Sequence, residues 1–564
     1  MTVNTSQAEK TESDNHHKLG PMAWALLLLA GLNCAFQIAW FWQLTSHNIN
    51  IDAVSYIGIA RHLVRGDFAG SLNGYWSPLF SWSIAAFSGL SSNLTLLGRV
   101  TTMVSFLACL PLLYRLTLSL WRSPLLAAAA VLWLTLARGL LAFSVYFIGT
   151  DFLFTAVVLL YFITLIRCLR RPSASNWTVL GLLHGVAFLA KAIAFPWIMV
   201  PTLLACLMAS PRNTRGTLFR AGAALAIPLM VWFAWGLTLK TRYGVFTTGY
   251  QSKWFLLDQA TRQQADRSGS QLTILRDTSR SFDSDLVVDN MPPGSALWRT
   301  HLQLGSTLQL VLANERRNLP RAIKEVIILI TPGGVLALFL AMLPLGRNHS
   351  AERHMVGIVL ASAASLVVAY CMLAFDSRYV LQVSPLLMAV AVPFVVPGGK
   401  SHSLLERFPR GRGLSAALVV ASTITLLLYP ASPFRSLRRD YQSSCYDAAR
   451  KLRAVPSCRR LVVLGAGPYP GHGVGWEAGI YASYFAACRI VAFSPELPHA
   501  SQSELVTRDL RTVDPDAILL FGASSDAAYA AVASAIHEVW HNLRSEPVDD
   551  PQTGRVGEVF WKPD

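Results

Sequence analysis

Four charged side chains stand in or beside long apolar stretches, where a charge is costly and usually kept for a use: Asp52, Asp151, Lys191 and Arg378. Two are carboxylates, able to take a proton from an attacking hydroxyl as a general base. Two are cations, able to hold an oxyanion such as a phosphate, and Arg378 does so with a planar fork that fits phosphate oxygens. Each also has a plainer use. Asp52 can cap a helix over 53–65, and Asp151 can sit at the positive end of the helix it opens. Lys191, about one turn from the end of its apolar run in FLAKAIAFPW, can snorkel to the interface. Arg378 can pair locally with Asp376 or anchor to headgroups.

The elements that must position these groups are membrane helices. Apolar runs near 22–43, 95–118, 125–143, 151–169, 177–194, 196–210, 217–238, 322–345, 355–374, 379–397 and 414–430 predict about eleven crossings. Only 14% of the 564 residues are charged, 53% are hydrophobic and the mean hydropathy is +0.41, whereas soluble domains carry about 25% charged residues. A single water-soluble core is excluded. The net charge of +16 does not imply a nucleic-acid partner, because the basic residues are spread over short loops. They fall at Arg122, at Arg167, Arg170 and Arg171, at Arg212 and Arg215, at Arg347 and Arg353, and at Lys400 to Arg412, while 144–150 and 194–196 have none. By the positive-inside rule the N-terminus is cytoplasmic and, with an odd number of spans, the C-terminus lies outside. The chain then divides into a cytoplasmic tail 1–20, a membrane part 21–430 with outer loops 44–94 and 239–321, and an outer part 431–564.

The outer loop after the first span reads NIDAVSYIGIARHLVRGDFAGSLNGYWSPLF. Its apolar residues fall on one face of a helix that Gly66 ends. Tyr75 and Trp76 suit the headgroup zone, and Ser77-Pro78 reads as N-cap and first position of a second helix. In 239–321, Tyr243, Tyr250, Lys253 and Trp254 form a basic and aromatic cluster that can cover a binding cleft. The last part has short β-rich runs at 459–465, 489–493 and 516–521 between helical stretches 441–454 and 527–543, which predicts a small α/β domain. Gly465 and Gly467 there read as turn glycines, since Pro468 and Pro470 stand where a phosphate-binding helix would begin. Cys445 and Cys458 are candidates for pairing if this part is extracytoplasmic. The other cysteine positions suggest no metal site.

An acidic residue just after the first span, then Tyr56, an amphipathic helix and the NGYWSPL segment, resembles the GT-C integral-membrane glycosyltransferases. The branch is that of bacterial protein O-mannosyltransferases and the lipid A aminoarabinose transferase. The likeness covers about 22–430 in span number, orientation and motif order. It implies a mainly α, polytopic GT-C-like fold in a bacterial inner membrane, with the small α/β domain appended outside. It implies a polyprenyl-phosphate-linked sugar as donor and a glycan, lipid or protein as acceptor, with Asp52 at the position of the base and Asp151 matching the acid of the second loop. Asp376-Ser377-Arg378-Tyr379 followed by VLQVSPLL resembles the family's Arg-Tyr plus Pro segment, so Arg378 and Lys191 are expected at the donor phosphate. Tyr56, Tyr75, Trp76, Tyr250, Lys253 and Tyr379 are expected near substrate, Tyr379 also suiting the aromatic belt. The family often has two adjacent acids at the first-loop position, but here Ile51 and Ala53 flank Asp52. No metal ligand is assigned, and a divalent ion stays open as a cofactor.

Two other classes fit a polytopic chain. A transporter would also place polar groups within spans, but no repeat with broken helices is visible in the hydropathy. An assembly scaffold would use the C-terminal part to hold partners, and would not need Asp52, Lys191 and Arg378 on one surface.

Overall fold

The computed structural model describes residues 19–45, 49–209, 214–249, 273–274, 311–327, 350–373, 377–395, 443–455, 458–465, 476–494, 503–522, 526–550 and 554–563. Tyr250, Lys253, Trp254, Asp376, Gly467 and the span expected at 414–430 lie outside the described residues, as does most of 322–345.

Helix α1 (Pro21–Thr45) has 25 residues, about 37 Å at a rise of ~1.5 Å per residue, more than the ~30 Å of a hydrocarbon core. After it come the short α2 (Ile51–Val64) and α3 (Leu79–Ala86), then the long α4 (Leu94–Trp121). Next are α5 (Pro124–Leu136), α6 (Arg138–Tyr146), α7 (Asp151–Arg170), α8 (Ala174–Ala190), α9 (Ala194–Ala209) and α10 (Thr214–Tyr243). Strand β1 (Thr273–Ile274) precedes α11 (311–327), α12 (Ser350–Leu373) and α13 (Ser377–Val395). Among the described residues five helices are long and apolar enough to cross a bilayer, namely α1, α4, α7, most of α10, and α12 within 354–372. The α5–α6 pair makes a sixth if counted as one broken span, and α8, α9 and Leu381–Pro393 of α13 are shorter apolar helices.

The single span expected at 125–143 is instead bent by 63°. Ala137 leaves the helical region with ψ 78°, and α6 then packs against α1 and α4. Hydropathy is blind to this bend because both halves are apolar. Of the five long apolar helices α7 is the most enclosed, with 72% of its apolar window buried, through Phe154, Val158, Tyr161 and Phe162. Helix α8 approaches α10 closely through Gly181 and Gly185. A Cβ on Gly181 would stand 2.6 Å from the Ala224 carbonyl oxygen, and one on Gly185 3.2 Å from Val231. Small residues four apart let two membrane helices touch by their backbones, where no hydrophobic effect pulls them together.

The C-terminal part adds α14 (Ser443–Ala454), β2 (Arg460–Leu464), α15 (Trp476–Ala486), β3 (Arg489–Ser494), α16 (Ser503–Val513), β4 (Ala517–Phe521), α17 (Ala527–Val539), β5 (Arg544–Asp550) and β6 (Gly554–Trp561). The sheet order is β1-β3-β2-β4-β6-β5, with β3, β2 and β4 parallel and the outer pairs antiparallel. Side chains alternate between faces every second residue. Leu461 and Val463 pack with Ala448 and Leu452 of α14 and Ile480 of α15, whereas Val462 and Leu464 pack with Leu510 of α16 and Ile536 of α17. Both faces are covered, which explains the unbroken apolar runs. Gly465 ends β2 with φ +89°, a conformation that favours glycine. The pairing considered for Cys445 with Cys458 is not the one formed spatially. Cys445 is buried in α14, and the sulfur near Cys458 is that of Cys488, at 3.1 Å.

Strand β1 comes from the middle stretch of the chain, yet pairs with β3. Helix α15 packs on α2, and the Thr95 hydroxyl meets that of Tyr484 at 2.8 Å. The first loop, Thr273–Ile274 and the C-terminal part therefore come together.

Candidate active site

Helix α2 starts at Asn50, whose backbone is extended and whose side chain makes no capping bond. It reaches across instead: Asn50 Oδ1 accepts from the Ile148 amide at 2.7 Å and Nδ2 donates to the Ile148 carbonyl at 3.1 Å. The alternative use of Asp52 as helix cap is thereby set aside, since Asp52 lies inside the first turn. Its carboxylate accepts from Arg378 Nη1, and the pair is largely buried, at 13% and 19% side-chain exposure.

Arg378 opens α13, with its guanidinium carbon 5.3 Å from the Phe147 ring centroid and 5.4 Å from that of Tyr379. Tyr379 is buried and stacks on Tyr370 at 4.0 Å and 10°, so the aromatic-belt placement expected for it is corrected. Lys191 does not snorkel either. It stands where α8 stops, in extended backbone, and Nζ donates to Asp151 Oδ1 at 2.6 Å. Its Nζ also lies 4.9 Å from the Tyr379 ring centroid. An unpaired ammonium at this depth would lose its hydration for nothing, and Asp151 offsets that cost.

Asp151, 4% exposed at the start of α7, receives a second donor on the same oxygen, Gln382 Nε2 at 2.6 Å. Gln382 is in turn fixed by the Tyr370 hydroxyl, which donates to its Oε1 at 3.0 Å. Neither Gln382 nor Tyr370 was singled out by sequence. A signal existed: Gln382 is a polar residue in an apolar run, four positions after Arg378 and so on the same helical face.

The NGYW turn closes the floor. Asn73 Oδ1 accepts from the amides of Tyr75 and Trp76, each at 2.8 Å. The Gly74 amide donates to the hydroxyl of Tyr243 at 3.2 Å. Ser77 does not cap α3, whose N-cap position is taken by Pro78. Its Oγ accepts from the Ala192 amide at 3.1 Å, tying the turn to the α8–α9 break. Tyr75 and Trp76 are each 9% exposed within the protein rather than placed at headgroups. Tyr56 sits 5.0 Å from Trp76 and 5.1 Å from Phe80, ring to ring. Burial pushes its hydroxyl well above the usual phenol range, helped by the negative charge of Asp52, so Tyr56 is a neutral hydrogen-bonding group.

These residues line one cavity of about 700 Å³. Its lining includes the charged Asp52, Arg378, Lys191 and Asp151 and the aromatic Phe188, Phe195, Trp232 and Trp235. Of the expected site residues, Asp52, Tyr56, Tyr75, Trp76, Asp151, Lys191, Arg378 and Tyr379 all reach it. Among the described residues no three His, Cys, Asp or Glu side chains gather as a metal-ligand set.

No family model matches the chain. It is 29% identical over 231 residues to the undecaprenyl phosphate-alpha-4-amino-4-deoxy-L-arabinose arabinosyl transferase of Pseudomonas paraeruginosa, which is 39% of this chain and 41% of that protein. The protein of the same name from Pseudomonas aeruginosa strain LESB58 is 29% identical over 220 residues, 37% of this chain and 40% of its own length. The match thus spans about two fifths of these curated relatives. In structure, the chain superposes on ArnT from Cupriavidus metallidurans in the apo state with a TM-score of 0.53 at 14% identity, over 95% of this chain and 97% of that one. The same protein bound to undecaprenyl phosphate gives 0.52 at 13% identity, over 96% and 98%. The Archaeoglobus fulgidus oligosaccharyltransferase, in complex with zinc and sulfate, gives 0.51 at 12% identity, over 88% and 68%. At such identities the likeness is one of fold, and the GT-C-like fold expected from the motif order is the one adopted.

Proposed function

We propose that the chain is an integral-membrane glycosyltransferase that moves a sugar from a polyprenyl-phosphate carrier to an acceptor nucleophile at the extracytoplasmic face. One observation carries this reading: a carboxylate, Asp52, and two cations, Arg378 and Lys191, line a single cavity together with the aromatic side chains of Phe188, Phe195, Trp232 and Trp235. The names of the curated relatives support an undecaprenyl-phosphate carrier and a pentose as the first donor to test. The spread of Lys and Arg over the loops supports the outward orientation.

In this reading the donor phosphate enters between Arg378 and Lys191 and draws the guanidinium away from Asp52. The released carboxylate then faces the acceptor. The acceptor oxygen bonds to the anomeric carbon as the bond from that carbon to the carrier phosphate breaks. Asp52 takes the acceptor proton, a step worth about 10² to 10⁴ in rate. The polyprenyl phosphate leaves with the electron pair, and Arg378 and Lys191 hold its charge in a site where little water screens them. Attack from the side opposite the phosphate inverts the anomeric configuration. Asp151, held by Lys191 and Gln382, acts as the counter-ion that places the lysine.

The test is transfer of labelled sugar by the purified protein in detergent, from a panel of undecaprenyl-phosphate pentoses and hexoses to extracted envelope lipids and glycans. Product formation that requires the carrier phosphate supports the reading. Absence of any transfer, together with substrate uptake by proteoliposomes, would make the protein a transporter instead.

A further inference from the structure

The parallel pairing of β2 with β3 brings together two cysteines that lie 30 positions apart. The Arg489 amide donates to the Arg459 carbonyl at 2.9 Å, so Cys488, just before β3, and Cys458, two residues before β2, sit at the same end of neighbouring strands. Strands in a sheet run about 4.8 Å apart, and a disulfide spans Cα separations of about 4.4 to 6.8 Å. The sulfurs stand 3.1 Å apart. Cys488 is buried, and Cys458 is partly exposed. One thiol is thus open to an oxidant and the other waits behind it.

We propose that Cys458 and Cys488 form a disulfide when the protein is in its membrane, a modification that rests on the outward placement of the C-terminal part. The Cys458 thiolate attacks a disulfide oxidant of the extracytoplasmic compartment and expels one of its sulfurs as a thiolate. Cys488 then attacks the Cys458 sulfur of the mixed disulfide and expels the second. Two electrons pass to the oxidant, which leaves as a dithiol after taking up the two thiol protons. The bond closes β2 onto β3 directly below α15. That helix carries Tyr484, whose ring lies 5.6 Å from the Arg61 guanidinium and whose hydroxyl meets Thr95. Arg61 belongs to α2, the helix that carries Asp52. The disulfide therefore braces the surface on which the helix of the proposed base rests.

The experiment uses the full chain in right-side-out membrane vesicles, quenched in acid and unfolded without reductant. Free thiols are alkylated with a first reagent, and those released by reduction with a second reagent of different mass. Peptide mass spectrometry is expected to find the second label on Cys458 and Cys488 alone, with the other six cysteines carrying the first. The first label on both Cys458 and Cys488 would overturn the proposal, as would Cys458 paired with Cys445. A second measurement separates this failure from that of the orientation. In Cys488→Ser vesicles, a membrane-impermeant maleimide should reach Cys458 without permeabilisation. Reaction there alongside free thiols in the wild type rejects the disulfide alone. Reaction only after permeabilisation rejects the outward placement and the disulfide with it.

Discussion

Arg378 donates to the carboxylate of Asp52 across 326 positions of the chain, joining the start of α13 to the first turn of α2. Removing one partner of such a buried pair leaves the other charge uncompensated, at a cost of about 3–5 kcal/mol. In Asp52→Asn the amide oxygen can still accept from Arg378, and Asn50 already stands at the N-cap, so the fold should survive with a loss of stability below that range. Single-turnover transfer should fall by about two orders of magnitude or more, as expected for a lost general base. Wild-type turnover in Asp52→Asn, with thermal unfolding in detergent as control, would remove Asp52 from the base position.

The same guanidinium is proposed to change partner when the donor arrives. Arg378→Lys keeps a point charge without the planar fork, and Arg378→Ala keeps neither. The donor KM should therefore rise in the order wild type, lysine, alanine. An acceptor titration at saturating donor should show a smaller change. Equal donor curves for the three proteins would take Arg378 away from the phosphate.

Lys191 and Asp151 form a buried pair at 2.6 Å, with side-chain exposures of 15% and 5%. Lys191→Met and Asp151→Asn should each destabilise the protein, and the double variant should lose less than the sum, with a coupling of about 0.5–3 kcal/mol. Activity should stay low in the double variant because the cation is gone. Additive stability losses would mean that the two charges do not depend on one another.

Gln382 holds Asp151 and is itself held by Tyr370. A residue that acts only by placing another should alter turnover more than ground-state binding. Gln382→Leu is expected to lower kcat about tenfold with the donor KM nearly unchanged, in keeping with loss of a hydrogen bond of ~1.5 kcal/mol to a charged group. Tyr370→Phe should give a smaller effect of the same kind. A change confined to KM would place Gln382 against substrate instead.

Gly181 faces the Ala224 carbonyl, with room for no further atom. Gly181→Val should push α8 from α10 and cost about 1–3 kcal/mol, as overpacking does, while Gly222→Ala on α10, where a Cβ meets nothing within 4 Å, should be nearly neutral. The comparison is made by thermal unfolding in detergent. Equal melting of the two variants would show that the close approach contributes little.

The sequence by itself determined the class and the cast. Runs of about twenty apolar residues can be satisfied only by bilayer-crossing helices. The resemblance in motif order singled out Asp52, Asp151 and Arg378 as candidates, with Lys191 beside them, and strand periodicity marked β2, β3 and β4 within a residue or two. Who pairs with whom was decided only by the tertiary structure. Asp52 looked like a helix cap because local geometry is all a sequence window contains, and the residue that answers it is 326 positions away. Lys191 looked like a snorkelling lysine because nothing near it in sequence could neutralise it. Its counter-ion arrives on α7 and Gln382 on α13. The 63° bend after α5 was hidden because hydropathy measures transfer into lipid and carries no direction. Cys458 found Cys488 rather than Cys445 because strand order, a global choice, sets β2 beside β3.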